Sequence, residues 1–476
     1  MRLRDYQASA VWDLRLLYAN GARGAFLVAP CGAGKTVVFA TIARLAVRKG
    51  SRVVVVVPRR ELMDQALDKL TACGAGRLGI IAAGRKNPHP DAPVQVAMLW
   101  TLARRVLPWS PDLVIIDEAH LAKCATVTKL LARPTWEGAR LLLASATPWR
   151  TDGKGFDDLA QAIVACPQVS DLVAAGHLVP AVTYSRQGHV KLDGLHRRAG
   201  EYRREEMAAR FHQPKLWGDI VESWREHATG LRTICFASSV AHSKALCRTY
   251  NTAGIPAGHL DGSTPAPERL RLLAALAAGD LLVLVNCGVL CEGFDLPALG
   301  CVQVARKTAS RGLWLQMTGR ALRPAPGKTQ AIILDHGANW QEHGLVDDVR
   351  TYTLAGRVKR DKPTVPAVRQ CTACFRVYRS GDWLRDMAGW WQCPGCGHAE
   401  RPQRRRPPMT AQAARLERVN ARKINPIPLQ RCPMGVDPAL WARLELERID
   451  KGYKPGWSWH RARTWQRRRR SSQGSW

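Results

Sequence analysis

Short, unbroken apolar runs recur along the first part of the chain, and they constrain its fold more than any other feature. Residues 53–57 are five consecutive valines, and 25–29, 113–116 and 141–144 are similar runs. Strands buried on both faces of a parallel sheet have this composition, because helices cover both faces. Segments long enough for helices, such as 36–49, separate the runs. The pattern predicts a parallel α/β sheet with helical crossovers.

A second set of apolar runs follows, at residues 233–236, 282–285 and 331–334, with a helix predicted at 265–276. The polar stretch 183–200 is predicted to connect the two sheets. Residues 359–366 are predicted to form a linker after the second sheet. We therefore predict two tandem parallel-sheet domains, and the total of 476 residues leaves room for smaller units beyond them.

A glycine-rich turn lies between the first run and the helix at 36–49. Glycines let backbone N–H groups turn toward phosphate oxygens, and a helix N-terminus adds a favourable dipole. In such a phosphate-binding loop, Lys35 would bind the β- and γ-phosphates and the Thr36 hydroxyl would hold Mg²⁺. The strict pattern has Gly at the position of Ala29, so a plain turn is the alternative. The segment reads Ala29, Pro30, Cys31, Gly32, Ala33, Gly34, Lys35, Thr36.

Two adjacent carboxylates, Asp117 and Glu118, directly follow the run at 113–116. At the end of a strand they can divide the work of hydrolysis. Asp117 is expected to hold Mg²⁺ through water, and Glu118 to orient and deprotonate the attacking water. A solvated turn is the alternative. The glycine-rich loop on the same predicted sheet favours the catalytic interpretation.

These residues resemble those of superfamily 2 helicases of the DEAD/DEAH type, and the resemblance covers about residues 1–355. Asp117-Glu118-Ala119-His120 is similar to the DEAH box of that family. The resemblance implies two RecA-like domains, an ATP-binding domain at 1–170 and a helicase C-terminal domain at 171–358. The other matching segments follow in the family's order: 3–7 (adenine reading, with Gln7 as the base contact), 58–62 (motif Ia), 145–148 (motif III), 261–264, 292–295 (motif V) and 316–324 (motif VI).

Motif VI contributes Gln316, Arg320 and Arg323 to the expected site. A guanidinium from the facing domain stabilises the charge of a transferred phosphoryl group only when the cleft closes. Arg320 and Arg323 are three residues apart and can share one helix face. Surface basic residues are the alternative in so basic a chain. Gln316 stands where DEAD-box RNA helicases usually have His, which favours DNA-repair and restriction-type members.

One residue departs from the family pattern: Cys291 stands where the family often has Thr or Ser before Glu-Gly-Phe-Asp.

The expected site residues follow from these segments. The expected catalytic residues are Lys35, Asp117, Glu118, Gln316, Arg320 and Arg323. The expected nucleotide-binding residues are Gln7, Pro30, Cys31, Gly32, Ala33, Gly34, Lys35, Thr36, Asp117, Gly293 and Asp295. Mg²⁺ is expected on Thr36 and Asp117.

Four of the 14 cysteines have paired spacing: Cys371, Cys374, Cys393 and Cys396. Two Cys-x₂-Cys turns separated by 18 residues match zinc-ribbon spacing. Four thiolates close a tetrahedral shell, so the metal is expected to be structural. Four reduced cysteines in a small core are the alternative. His398 is close enough in sequence to substitute as a ligand, but four cysteines already suffice.

The cysteine segment is predicted to be a separate zinc module at residues 367–400. A segment this short needs its metal to fold. Trp383, Trp390 and Trp391 are predicted to form its core rather than base-stacking platforms. Residues 149–156, 177–180 and 453–460 resemble bacterial and phage RadD-like helicases, which carry a four-cysteine zinc site after the motor.

The net charge is +32, from 71 Lys and Arg against 39 Asp and Glu, which favours a polyanionic partner. Residues 401–476 hold 19 Lys and Arg against 5 Asp and Glu and are predicted to be a basic Arg/Trp-rich extension. A helix is expected there, capped by Asp437. Trp457, Trp459 and Trp465 lie among basic residues, a composition that suits single-strand binding. A helical appendage with solvated charges is the alternative.

The sequence thus predicts an ATP-dependent nucleic-acid helicase or translocase that uses ATP, Mg²⁺ and Zn²⁺. DNA is favoured over RNA, in repair, recombination or replication. The alternatives are a translocase or remodeller without strand separation and an ATP-dependent nucleic-acid clamp. We expect a monomer in the cytoplasm of a bacterium or of a phage's host. No membrane segment is expected, and single-strand-binding or repair proteins are candidate partners.

Overall fold

The computed structural model describes the chain in segments. These are residues 2–121, 124–150, 154–185, 196–198, 201–203, 206, 214–290, 296–356, 368–386 and 389–400, with Trp441, Leu444, Trp457 and Arg461 beyond them. The expected site residues Gly293 and Asp295, the linker at 359–366 and the cap at Asp437 lie outside the described residues. The chain divides into two compact units, Met1–Pro402 and Gln403–Trp476. The two sheets and the cysteine segment belong to the first unit.

The first sheet has seven strands, all parallel, in the order β3-β4-β2-β5-β6-β1-β7. The glycine-rich loop leaves β1, and the acidic pair ends β5, with only β6 between those two strands. Carboxyl ends of parallel strands meet at one edge of the sheet, so these segments lie close together. The strands are β1 (Gly24–Val28), β2 (Val53–Val57), β3 (Leu78–Ile81), β4 (Val94–Met98), β5 (Leu113–Asp117), β6 (Arg140–Ser145) and β7 (Ala162–Ala165).

Helices cover both faces of this sheet, which explains why its central strands are apolar throughout. Every valine of β2 is buried, with at most 1% of its surface exposed. The fully apolar composition therefore predicted the environment of the strand correctly. The helices of this half are α1 (Asp5–Ala19), α2 (Lys35–Val47), α3 (Arg60–Ala72), α4 (Leu99–Leu102), α5 (Cys124–Leu131) and α6 (Val169–Ala174).

The second sheet has eight strands in the order β12-β13-β11-β14-β15-β8-β17-β16. The first six are parallel, β17 pairs antiparallel with β8, and β16 pairs antiparallel with β17. These strands are β8 (Ala181–Ser185), β11 (Thr233–Ala237), β12 (Ala257–Leu260), β13 (Val283–Asn286), β14 (Cys301–Ala305), β15 (Ala331–Asp335), β16 (Val368–Gln370) and β17 (Arg376–Arg379), and a hairpin of β9 (Arg197–Arg198) and β10 (Glu201–Tyr202) precedes β11.

Among the described residues, five α-helices accompany the second sheet. They are α7 (Pro214–His227), α8 (Val240–Thr252), α9 (Ala266–Ala278), α10 (Arg311–Gly319) and α11 (Trp340–His343). The helix predicted at 265–276 corresponds to α9. Together the two sheets and their helices confirm the predicted α/β class with two RecA-like domains. In the part of the chain that the structure describes, no helix is both long and apolar enough to span a lipid bilayer.

One expectation for this region is wrong. Residues 183–185 were expected in the connection between the sheets, but they belong to β8, which pairs with β15. Their polar side chains are buried, with Thr183 at 3% and Ser185 at 5% exposed. Ser185 donates a hydrogen bond to the Asp335 carbonyl at 2.8 Å. A local partner thus lets a polar residue occupy a buried strand, which composition alone does not reveal.

The cysteine segment forms a small module that is joined to the second sheet. Its first part contributes β16 and β17, and β17 pairs with β8. A second, three-stranded antiparallel sheet completes it, made of β18 (Leu384–Arg385), β19 (Trp391–Gln392) and β20 (Ala399–Glu400). Trp383 is 4% exposed and packs with Cys371 and Cys393, so it belongs to the module's core as predicted. Trp391 is only half-buried.

The buried valines of β2 give a direct test of this packing. Val55 is fully buried, and Val55→Ala removes two carbon atoms from a close-packed site. We expect the free energy of unfolding to fall by roughly 2–3 kcal/mol, measured by urea titration. Val106→Ala is the matched control, because Val106 is 79% exposed, and its effect should stay within about 0.5 kcal/mol. Equal unfolding midpoints for the two variants would contradict the buried position of β2.

Candidate active site

The glycine-rich loop after β1 has a backbone that requires its two glycines. Gly32 and Gly34 have φ angles of +88° and +81°, in the left-handed region. A Cβ atom on Gly34 would lie 2.4 Å from Gln7 Nε2, and one on Gly32 would lie 2.9 Å from Leu178 Cδ2. The loop therefore has neither the conformation nor the room for side chains at these positions. Its backbone leads directly into α2 at Lys35.

Gln7 and Tyr6, at the start of α1, hold this loop from one side. Gln7 Nε2 and Tyr6 Oη both donate hydrogen bonds to the Ala33 carbonyl, at 3.0 and 2.8 Å. Gln7 Oε1 accepts a bond from the Arg4 backbone N–H at 3.1 Å. Gln7 is buried, and its amide is fixed at the edge of the loop. The segment expected to read adenine thus also sets the position of the phosphate loop.

Lys35 lies between the two carboxylates at the end of β5. Its Nζ is 2.8 Å from Asp117 Oδ1 and 2.6 Å from Glu118 Oε1. Glu118 has a φ of +46°, a conformation that is costly for a residue other than glycine and that occurs most often at functional sites. The backbone N–H of Glu118 donates to Asp117 Oδ1 at 2.9 Å, which stabilises this turn. Both carboxylates therefore point at the phosphate loop.

Burial and the neighbouring charges shift the pKa values of this cluster. Burial opposes the charge of Glu118, but Lys35, with a smaller contribution from Arg320, outweighs it and holds the pKa of that carboxyl below its usual value. Burial raises the pKa of Asp117, against the attraction of Lys35. The two carboxylates raise the pKa of Lys35 despite its burial. Glu118 is thus an ionised carboxylate at neutral pH, as a general base must be.

His120 connects this cluster to motifs III and VI. Gln316 Nε2 donates to His120 Nε2 at 2.9 Å, so His120 Nδ1 carries the proton and donates to Ser145 Oγ at 2.7 Å. Burial lowers the pKa of His120 to about 4, so the ring is neutral at physiological pH. Gln316 Nε2 also lies 3.4 Å from Glu118 Oε2. A change in the position of Gln316 would therefore alter its contacts with both His120 and Glu118.

Motif VI of the second domain packs directly on the phosphate loop of the first. A Cβ atom on Gly319 would lie 2.6 Å from Cys31 Cβ, so only glycine permits this approach. Arg323 Cγ lies 3.4 Å from the point that a Cβ of Gly32 would occupy. Arg320 is 6% exposed and contributes to the lowered pKa of Glu118. The structure thus brings both arginines to the phosphate loop.

The motif Ia segment also contacts the second domain. Glu61 on α3 forms an ion pair with Arg269 on α9. Arg59 Nη1 donates to the Gly288 carbonyl at 3.2 Å. The segment expected to contact nucleic acid is therefore also part of the contact between the two domains.

A cavity of 690 Å³ opens between these elements. Its wall also includes Arg2, Arg4 and His177, which were not among the expected site residues, although Arg4 lies in the segment 3–7 and His177 in 177–180. Ala33 does not line it and contributes its carbonyl instead. The expected site residues that line the cavity are Gln7, Pro30, Cys31, Gly32, Gly34, Lys35, Thr36, Asp117, Glu118, Gln316, Arg320 and Arg323.

A second cavity, of 730 Å³, lies at the opposite end of the strands of the first sheet. Leu113 and Arg140, at the starts of β5 and β6, contribute to its wall together with Trp12 and Leu16. It contains neither the phosphate loop nor the acidic pair. The 690 Å³ cavity is therefore the candidate nucleotide site.

The four paired cysteines converge as their spacing predicts. All four Sγ atoms lie within 4.8 Å of one another. Cys371 Sγ is 3.7 Å from Cys396 Sγ, and Cys374 Sγ is 3.8 Å from Cys393 Sγ. A tetrahedral zinc with bonds of about 2.3 Å to each sulfur needs sulfur–sulfur distances of about 3.8 Å, so the cluster fits zinc. His398 contacts Thr372 Oγ1 at 3.1 Å and is not part of the cluster.

Comparison with known proteins agrees with this arrangement. Residues 1–150 match the family model described as the res subunit of type III restriction enzymes, and 212–325 match the helicase conserved C-terminal domain. The fragment structure of a putative type I restriction HsdR subunit from Vibrio vulnificus has the same fold, with a TM-score of 0.56 and 19% identity over 72% of this chain and 66% of that one.

Two relatives extend the match. A 51.5 kDa protein of a Lactococcus phage is 30% identical over 365 residues, 76% of each chain. The putative mitochondrial ATP-dependent helicase irc3 of Schizosaccharomyces pombe is 29% identical over 70% of this chain and 57% of its own length, so this chain matches little more than half of that relative. With these matches and the two RecA-like domains, the chain belongs to the superfamily 2 helicases.

Proposed function

We propose that this helicase is a nucleic-acid-stimulated ATPase that uses hydrolysis to move along DNA and to separate its strands. One observation carries the proposal. Lys35 bridges Asp117 and Glu118 at the wall of a 690 Å³ cavity, and Arg320 and Arg323 of the second domain line the same cavity. A cation, two carboxylates and two guanidinium groups on facing domains are the groups that phosphoryl transfer requires.

The first domain supplies the groups for binding and for water activation. Lys35 exchanges its carboxylate partners for the β- and γ-phosphates. Thr36 and Asp117 are the proposed holders of Mg²⁺, which neutralises phosphate charge when bound. Glu118, ionised at neutral pH, orients the attacking water and accepts its proton. Gln7 fixes the loop and contacts the base.

The second domain supplies the groups that depend on closure. Arg320 and Arg323 stabilise the negative charge on the transferred phosphoryl group, a contribution worth about 10³–10⁵ in rate in GTPases. Gln316 contacts His120 and Glu118, so closure of the domains changes the surroundings of the catalytic base Glu118. Loss of the γ-phosphate weakens this arrangement and lets the domains separate. Nucleic-acid contacts on the two domains then shift relative to each other, which produces translocation.

DNA is the proposed nucleic acid. Gln316 stands at the start of motif VI, where DEAD-box RNA helicases usually have His. This supports assignment to the DNA-repair and restriction-type members of the superfamily. The family model over residues 1–150, described as a restriction-enzyme subunit, supports the same choice. The net charge of +32 supplies sequence-independent attraction to phosphate backbones. RadD-like helicases remain the proposed subgroup, on the motifs given above.

Zinc is the proposed ligand of Cys371, Cys374, Cys393 and Cys396. The convergence of four thiols at the sulfur–sulfur spacing of a tetrahedral site supports this. A closed shell of four cysteines leaves no open position, so the ion is structural. Its proposed role is to hold the module at residues 367–400 in shape.

The ATP site can be tested with two substitutions. Lys35→Ala removes the phosphate-binding cation and Glu118→Gln removes the proton acceptor, so we expect each to abolish DNA-stimulated ATP hydrolysis. Phosphate release at saturating ATP and DNA is the measurement.

The matched controls are Lys49→Ala and Glu137→Gln. They make the same chemical changes at exposed positions outside the 690 Å³ cavity. Both controls should hydrolyse ATP at the wild-type rate. Wild-type rates in Lys35→Ala and Glu118→Gln would refute the assignment of this site.

The choice of nucleic acid is tested by comparing ATPase rates with single-stranded, duplex and branched DNA and with RNA. Ionic strength must be matched, because charge-driven affinity falls steeply as salt rises. We expect greater stimulation by at least one DNA form than by RNA. A strand-displacement assay beside a translocation assay then separates unwinding from movement alone. Equal or greater stimulation by RNA would contradict the DNA assignment.

The basic extension at residues 401–476 is proposed to tether nucleic acid without reading sequence. It carries 19 Lys and Arg against 5 Asp and Glu. Deleting it should weaken DNA binding and flatten the dependence of log Kd on log salt, because fewer counterions are released. The rate of ATP hydrolysis without DNA should not change. A loss of that basal rate would show that the extension also supports the ATP site.

The zinc site is tested by metal analysis of purified protein. We expect one zinc per chain, lost in Cys393→Ser, together with a lower thermal unfolding temperature. Cys247→Ser is the control, since Cys247 lies outside the cluster, and it should retain zinc. Wild-type protein that contains no zinc after purification under metal-replete conditions would overturn the assignment.

A further inference from the structure

Lys328 makes an unusual set of contacts just behind motif VI. Its Nζ donates three hydrogen bonds to main-chain carbonyls: to Leu299 at 2.6 Å, to Arg323 at 2.8 Å and to Pro297 at 3.1 Å. An ammonium group has three N–H donors, so these contacts use its full capacity. Among the described residues, Lys328 forms no ion pair with a carboxylate.

The three carbonyls belong to two loops that both reach the nucleotide cavity. Arg323 and Pro297 line that cavity. Leu299 is 1% exposed and stands two residues before β14, a strand in the middle of the second sheet. Lys328 therefore ties the main chain of an expected catalytic arginine to a loop that is anchored in the core of its domain.

The charge of Lys328 is poorly placed for stability alone. The described loop at 296–300 has no titratable side chain, and the segment 320–328 presents the cations Arg320 and Arg323. Burial, and then the charge of Arg323, lower the pKa of Lys328 to about 8. Lys328 is a cation close to another cation, Arg323, and its partners are neutral carbonyls. Such an arrangement gains little from charge attraction, but it fixes the positions of the three carbonyls.

We propose that Lys328 is a positioning residue for ATP hydrolysis, which fixes the Arg323 main chain against the loop at 296–300 so that the Arg323 guanidinium reaches the phosphate loop. This inference rests on the proposed function, because it assumes that Arg323 acts on the transferred phosphoryl group. The reaction rate depends strongly on where catalytic side chains lie, and a displacement of about 1 Å can lower the rate on the order of 10²-fold.

The first test is a comparison of Lys328→Met with wild type in DNA-stimulated ATP hydrolysis. Met keeps an unbranched side chain that ends one atom earlier, and it loses all three donors. We expect kcat to fall by roughly 10–100-fold while KM for ATP changes by less than about threefold, because binding and positioning are separable. Lys244→Met, on the exposed side of α8, is the matched control and should have wild-type kinetics.

A double-mutant cycle shows whether Lys328 acts through Arg323. If it does, Lys328→Met adds little to the loss already caused by Arg323→Ala. Multiplied losses in the double variant would overturn the proposal, as would wild-type kcat in Lys328→Met. Thermal unfolding of each variant is measured alongside, and a loss of kcat in the folded Lys328→Met protein supports positioning.

The pH dependence supplies a readout that a purely structural role would not give. Raising the pH through about 8 deprotonates Lys328 in the free enzyme and removes one donor, so kcat/KM of wild type should fall there. Arg remains protonated, so Lys328→Arg should retain part of the activity and lose this alkaline limb. An unchanged alkaline limb in Lys328→Arg would contradict the proposal. Absence of ATPase activity in the wild type would instead refute the proposed function.

Discussion

The ion pairs that Lys35 forms with Asp117 and Glu118 are the interaction on which the rest of the site depends. They exist because β1 and β5 end at the same edge of one parallel sheet, with only β6 between them. Buried charges of this kind are tolerated only when they are paired. The cluster therefore holds the phosphate loop against the acidic turn, and any ligand that attracts Lys35 must compete with both carboxylates.

The second domain completes this cluster through contacts that form only when the two domains lie against each other. Gly319 lies against Cys31, and Gln316 contacts both His120 and Glu118. All of these contacts join the two domains, so a rotation of the second domain would change them together. The neutral state of His120 matters here, because a protonated ring could not accept the Gln316 amide. The surroundings of Glu118 thus depend on the position of the other domain.

Much of the fold and part of the site could be predicted from the sequence because the signals are local. The valines of β2 indicate burial on both faces, and the loop at Gly32 and Gly34 indicates a phosphate site. Other features depend on distant partners and leave no local signal. The buried strand β8 contains Thr183 and Ser185, whose environment is set by pairing with β15. Lys328 belongs to the same class, since its carbonyl partners lie up to 31 residues away.

The pairing of β17 with β8 has a mechanical consequence. Without the cysteine module, β8 would be the last strand of the second sheet, with a row of unsatisfied backbone groups open to other chains. The antiparallel hairpin of β16 and β17 covers that edge, and β17 hydrogen-bonds to β8, the strand whose N-terminal approach, at Leu178, lies close to Gly32. The module thus continues the sheet of the second domain. A displacement of the second domain would therefore carry the cysteine module with it, since main-chain hydrogen bonds join the two.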